Sequence, residues 1–141
     1  MKICLLMLGK TRRPEMSAIL DDYVKRIARS CAIEVAEVRD AAALKRLDAN
    51  RATTSVLLDA GGKAYDSEAF TKWMGEQRDR GIREVIFVCG DADGFPDSLR
   101  ERVKQKLSLS AMTYSHELAR VMLAEQIYRA FAILSGSPYP K

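Results

Sequence analysis

The chain has one histidine, one tryptophan and three cysteines in 141 residues, and no apolar run of membrane-spanning length. Each shortage removes a class of function. Cys4, Cys31 and Cys89 lie far apart, none at zinc-ligand or redox-motif spacing, and each sits in an apolar run. They read as buried free thiols of a reducing cytoplasm. The dinucleotide fingerprint G-x-G-x-x-G and the P-loop are both missing. With one histidine and no G-x-S-x-G elbow, Ser110, Thr113 and Ser115 make a poor serine hydrolase. Asp91-Ala-Asp93-Gly94 lacks the other ligands and the closing Glu of a calcium loop, so no metal is expected. The apolar stretch Ile3 to Leu8 is too short for a signal-peptide core and runs into Lys10, Arg12 and Arg13 without a cleavage site. A cytosolic protein is expected.

What remains is ordinary globular material, 48% apolar and 30% charged. A chain of this length reads as one domain, residues 1–141, burying roughly two-thirds of its unfolded surface. The net charge is +4, and the basic excess is shared between the two halves rather than gathered in a tail. That balance permits a nucleic-acid partner without demanding one.

Strand and helix patterns alternate. Ile3 to Leu8 is a continuous apolar run, suited to a strand buried on both faces. Pro14 opens a helix carrying Met16, Ile19, Leu20, Tyr23, Val24 and Ile27 at helical spacing. Ile33 to Val38 predicts a second strand, Ala41 to Leu47 a short helix, and Ser55 to Asp59 a third strand closed by a Gly61-Gly62 turn. Asp66 or Ser67 caps a helix that buries Phe70, Trp73 and Met74 and stops at Gly81. Glu84 to Cys89 predicts a central strand. Pro96 opens a helix to about Lys106, Leu107 to Ser110 forms a short fifth strand, and a long helix spans about His116 to Leu134. The fold class is α/β, a mostly parallel sheet with helices on both faces.

Ligands of such sheets sit beyond the carboxyl ends of the strands. Three loops fall there: Asp59 to Lys63, Gly90 to Gly94, and Ser110 to Ser115. The last runs into a helix on which His116, Arg120, Glu125, Gln126 and Arg129 mingle with apolar residues all round, so both helix faces should touch something. His116 suits hydrogen bonding to a ligand or work as a base, and equally a structural hydrogen bond. Arg120 and Arg129 either pair within the helix with Glu117 and Glu125 or serve a phosphate or an interface. A nucleotide-like ligand fits loops rich in backbone donors and acceptors.

Leu107-Ser-Leu-Ser-Ala-Met-Thr, then His116, Arg120, Ala124-Glu-Gln-Ile-Tyr-Arg-Ala130 and Gly136-Ser-Pro-Tyr139 resemble the RlmH family, SPOUT-class methyltransferases of large-subunit ribosomal RNA. The likeness extends through Leu57-Leu-Asp59, Gly62-Lys63, Phe87-Val-Cys-Gly90 and Gly94. The resemblance implies methyl transfer from S-adenosylmethionine to N3 of a pseudouridine in 23S ribosomal RNA, in the large subunit or the assembled ribosome. It also implies a C-terminal trefoil knot and a homodimer, with no membrane and no metal. Carried across, Leu58, Gly90, Ser110, Ala111, Met112, Thr113, Tyr114 and Ser115 would contact the cofactor. His116 and Arg120 would position the substrate, with Tyr139 and Lys141 gripping it. The family commonly ends Tyr-His-Arg, whereas this chain has Tyr139-Pro140-Lys141. That difference motivates one rival, a non-catalytic ribosome-binding or RNA-binding protein that keeps the fold. Another rival is a flavodoxin-like domain that binds a small molecule and needs no RNA.

Overall fold

The two longest apolar runs become the middle of the sheet. A computed structural model describes residues 1–47 and 52–139. Its elements are β1 (Lys2–Leu8), α1 (Pro14–Ile27), β2 (Ile33–Val38), α2 (Asp40–Arg46), β3 (Thr53–Ala64), α3 (Ser67–Asp79), β4 (Glu84–Cys89), α4 (Asp97–Arg102), β5 (Gln105–Ser108) and α5 (His116–Leu134). β1 and β4 lie side by side, Leu5 opposite Phe87, and the five strands run parallel in the order β2-β1-β4-β3-β5.

Because strand side chains alternate between faces, the sheet has two cores. Ile3, Leu5, Met7, Val85 and Phe87 pack under α1, α3 and α5, with Leu20, Phe70, Met74, Leu123 and Ile127 above them. Cys4, Leu6, Leu8, Ile86 and Val88 meet Ala43 and Leu99 of α2 and α4 on the other face. Helices therefore cover both faces, as the alternating pattern requires. Trp73 and Phe70 stack at 5.9 Å between ring centroids and belong to the core.

α5 is the helix that the rest of its face is built around. Ala124 and Ala130 are wholly buried beside Leu123 and Ile127, and small residues let the helix sit close to α1 and α3. Each large apolar side chain buried there contributes about 1.5–3 kcal/mol. Ser115 Oγ accepts from the backbone N–H of Leu118 at 3.3 Å and starts the helix, while Gly136, at φ +76°, ends it. At the start of α3 the Asp66 carboxylate plays the same part, accepting from Ala69 at 2.7 Å.

Three expectations change. The third strand does not stop at Gly61-Gly62: it runs on to Ala64 with a bulge, so that Leu58 and Lys63 both lie opposite Leu107. Gly62 serves close approach and not a turn, since a Cβ there would stand 2.6 Å from the carbonyl carbon of Lys106. The fourth helix ends at Arg102, because pairing with β3 draws Gln105 and Lys106 into strand β5, which closes at Ser108. Of the three thiols Cys4 and Cys89 are buried, but Cys31 is only partly so.

Candidate active site

The bulge of β3, the carboxyl end of β4 with the loop after it, the 109–115 loop and the first turn of α5 enclose a cavity of about 470 Å³. That volume lies within the range of small-molecule sites. Its apolar wall comes from Leu58, Phe95, Leu109, Met112 and Tyr114, and its polar groups include Asp59, Arg100, Ser110, Thr113, Ser115 and His116. Met112 is 72% exposed, an apolar side chain held out over the opening.

Each wall is fixed by local bonds. In the bulge, Asp59 Oδ1 accepts the N–H of Gly61 at 3.1 Å and Oδ2 accepts Arg100 Nη1 at 2.7 Å. The Gly61 N–H first, then Arg100, hold the Asp59 carboxyl below the usual carboxylate range despite some burial. After β4, Asp91 Oδ1 accepts from Asp93 N at 2.9 Å and Asp91 O from Gly94 N at 3.0 Å, folding the loop back on itself. Gly90 permits this, because a Cβ would lie 2.9 Å from Gly94 O. In the third loop Ser110 Oγ accepts from Met112 N at 3.1 Å, and Ser108 Oγ donates to Ser110 O at 2.9 Å.

Under these loops lies Arg120, with no solvent exposure (0%). Nη2 donates to Leu8 O at 2.8 Å and Gly90 O at 3.3 Å, while Nη1 donates to Gly9 O at 3.2 Å and Thr11 Oγ1 at 3.0 Å. One guanidinium thus joins the ends of β1 and β4. Its Nε is buried without a partner. One turn earlier, Glu117 accepts the N–H groups of Arg12 and Arg13, both at 3.0 Å. These bonds, Arg13's first, hold its carboxyl below the usual range. Burial drives the Cys89 thiol up to about 12 against the pull of Arg120, so it is no nucleophile at neutral pH.

The sequence matches the family described as "Predicted SPOUT methyltransferase" over residues 1–140. The chain belongs to the SPOUT methyltransferases. Proteins named ribosomal RNA large subunit methyltransferase H share this sequence over 99% of its length: 37% identity in Koribacter versatilis, 38% in Pelobacter propionicus and 40% in Solibacter usitatus. The matches cover 97%, 99% and 99% of those relatives, so the chain is an RlmH-family member end to end. Among solved structures, the SpoU methyltransferase AviRb of Streptomyces viridochromogenes in complex with AdoMet matches with a TM-score of 0.55 at 12% identity. A second AviRb structure gives 0.57 at 13%. They cover 90% and 96% of this chain, which spans 56% and 61% of theirs, and they bear on the fold alone.

In this SPOUT methyltransferase the expected cofactor residues Leu58, Gly90, Ser110, Met112, Thr113, Tyr114 and Ser115 all line the cavity, as does His116. Ala111 is exposed on the same loop without lining it. Arg120 is the main correction. It makes no ion pair with a helix carboxylate and does not reach the cavity, because its guanidinium is enclosed and committed to strand-end carbonyls and the Thr11 hydroxyl. Arg129 does pair within the helix, with Glu125 at 2.9 Å. Tyr139 does not line the cavity: its hydroxyl donates to Glu125 at 2.5 Å and its ring lies 4.7 Å from that of Tyr128. Lys141 lies outside the described residues. Arg100 and Phe95 went unsuspected, since the Asp59–Arg100 pair spans 41 positions and no local pattern announces it.

Proposed function

We propose that this chain transfers a methyl group from S-adenosylmethionine to N3 of a pseudouridine in 23S ribosomal RNA, in the large subunit or the assembled ribosome. The observation that carries the reading is one cavity that gathers the strand-end glycine loop, the 110–115 loop and His116. The named activity of its relatives agrees with it.

The residues present fit S-adenosylmethionine. The cavity has the size for a nucleoside, apolar walls for a flat base, and polar loops able to read its edge and a ribose. Leu58, Gly90 and residues 110–115 would hold it. When bound, it supplies a methyl group already activated on a sulfonium. The chain's own task is to orient the nucleotide and help N3 release its proton. His116, with a side chain 27% exposed, lines the cavity and would touch the nucleotide. Arg120 acts one step removed, by fixing the loops that do the touching.

A single cytoplasmic domain, a C-terminal trefoil knot and a homodimer complete the reading. No helix among the described residues is long and apolar enough to cross a membrane. Ile19 of α1 (44% exposed) and Leu118 and Ile133 of α5 (36% and 43%) offer apolar surface to a second copy. The placement of Tyr139 on α5 favours one alternative, a ribosome-binding protein without turnover. Calorimetry with S-adenosylmethionine and label transfer to ribosomes lacking the modification separate these. Transfer to pseudouridine supports the enzyme. Cofactor binding without transfer supports the alternative, and no cofactor binding sinks the methyltransferase reading.

A further inference from the structure

We propose that the loop from Gly9 to Arg13 is a preformed grip for the RNA phosphate backbone, with Lys10 and Arg12 as its contacts. This rests on the ribosomal RNA reading above. The loop joins β1 to α1, and its backbone is held almost residue by residue. Gly9 N donates to Val38 O at 3.1 Å, and Gly9 O accepts from Arg120 at 3.2 Å. Thr11 N donates to Glu37 at 2.7 Å, and Thr11 Oγ1 accepts from Arg120 at 3.0 Å. Arg12 N and Arg13 N donate to the two carboxylate oxygens of Glu117.

Against that fixed backbone the side chains divide. Arg13 turns back to Glu15 at 3.0 Å. Lys10 and Arg12 are exposed, and no carboxylate among the described residues lies within 4.0 Å of either. The nearby carboxylates Glu37 and Glu117 are aimed at backbone N–H groups. A loop needed only for connection has no use for a buried arginine and two glutamates. A loop that must present cations in one arrangement does, since ordering done during folding is not repeated on binding.

The position is also right. Glu117 directly follows His116, which lines the cavity, and Arg120 bonds both this loop and Gly90 at the cavity wall. Cations held there would seat the RNA strand beside the reacting nucleotide and supply the salt-dependent part of affinity. Glu117 and Arg120 are then positioning residues.

The test compares wild type with the double variant K10Q/R12Q, and with E117Q, over a range of salt concentrations. Methyl transfer to ribosomes and direct co-sedimentation with ribosomes are both measured. The double variant should raise KM for ribosomes on the order of tenfold, leaving kcat at saturation and cofactor affinity nearly unchanged. Its plot of log affinity against log salt should be shallower by about 1.4–1.8, for two contacts at about 0.7–0.9 each. E117Q keeps both cations, so it should raise KM while retaining the wild-type slope. An unchanged KM and slope in a folded K10Q/R12Q protein would overturn the grip. If wild type transfers no methyl, the enzymatic reading fails, and co-sedimentation alone then decides the grip by the same slope.

Discussion

Both ends of the β1–β4 seam carry an arginine, and the two are used in opposite ways. At the amino end Arg46 reaches Glu84 at 2.5 Å and Glu34 at 3.4 Å, with Lys2 at 3.8 Å and 3.4 Å from the same carboxylates. Charges there neutralise one another at a partly exposed surface. At the carboxyl end Arg120 is fully enclosed, its partners are carbonyls and a hydroxyl, and its Nε has none. The first cluster is closed on itself. The second commits its donors chiefly to backbone, tying together the loops that border the cavity.

Breaking the carboxyl-end hub should cost most. Arg120→Met leaves four acceptors without their donor, and a loss of about 3 kcal/mol is expected in urea unfolding. Methyl transfer should fall by at least about 100-fold, or about 2.7 kcal/mol in the barrier. Arg120→Lys keeps the charge but cannot reach four acceptors, so it should regain some stability and little activity.

Gly90→Val comes next. Its side chain would strike the Gly94 backbone and shift the loop into the cavity, so calorimetry should find S-adenosylmethionine affinity reduced roughly tenfold or more, with stability down by about 1–3 kcal/mol. At the other end, Glu84→Gln removes the most enclosed member, 15% exposed, of an ion cluster whose other side chains are 35–45% exposed. Unfolding should shift by about 1 kcal/mol at most, with transfer unchanged, and a larger loss would erase the contrast between the ends.

The smallest expected effect is on acid stability. Glu117 and Asp59 have carboxyls held below their ordinary values in the fold, so both contribute stability above the unfolded carboxylate range, near pH 4. That contribution disappears as pH falls through their folded values. Urea unfolding between pH 6 and 3 should show Glu117→Gln losing less stability on acidification than wild type. Parallel losses would place the acid-sensitive groups elsewhere.

The fold was legible wherever a pattern is local. Alternation of apolar runs with helical spacing gave both faces of the sheet, and Pro14 and Asp66 marked helix starts that the structure retains. The bulge in β3 was not legible, because only the close approach of Lys106 explains why Gly61-Gly62 does not turn the chain. The same limit divides the site. Loops 90–94 and 110–115 could be chosen because strand ends and glycines are visible in sequence. Arg120 was misread because its partners, Leu8, Gly9 and Gly90, are 30 to 112 positions away. The mixed polarity of α5 marked it as more than an ordinary surface helix, but not that one arginine would be sealed inside.

The most direct test of the strand-end cavity as a methyl-transfer site is incubation of the protein with methyl-labelled S-adenosylmethionine and ribosomes lacking the modification, followed by digestion of 23S RNA to nucleosides. The account predicts label in N3-methylpseudouridine with wild type and its loss with Gly90→Val. Binding of S-adenosylmethionine without any label in the RNA, or equal labelling by a folded Gly90→Val protein, would contradict it.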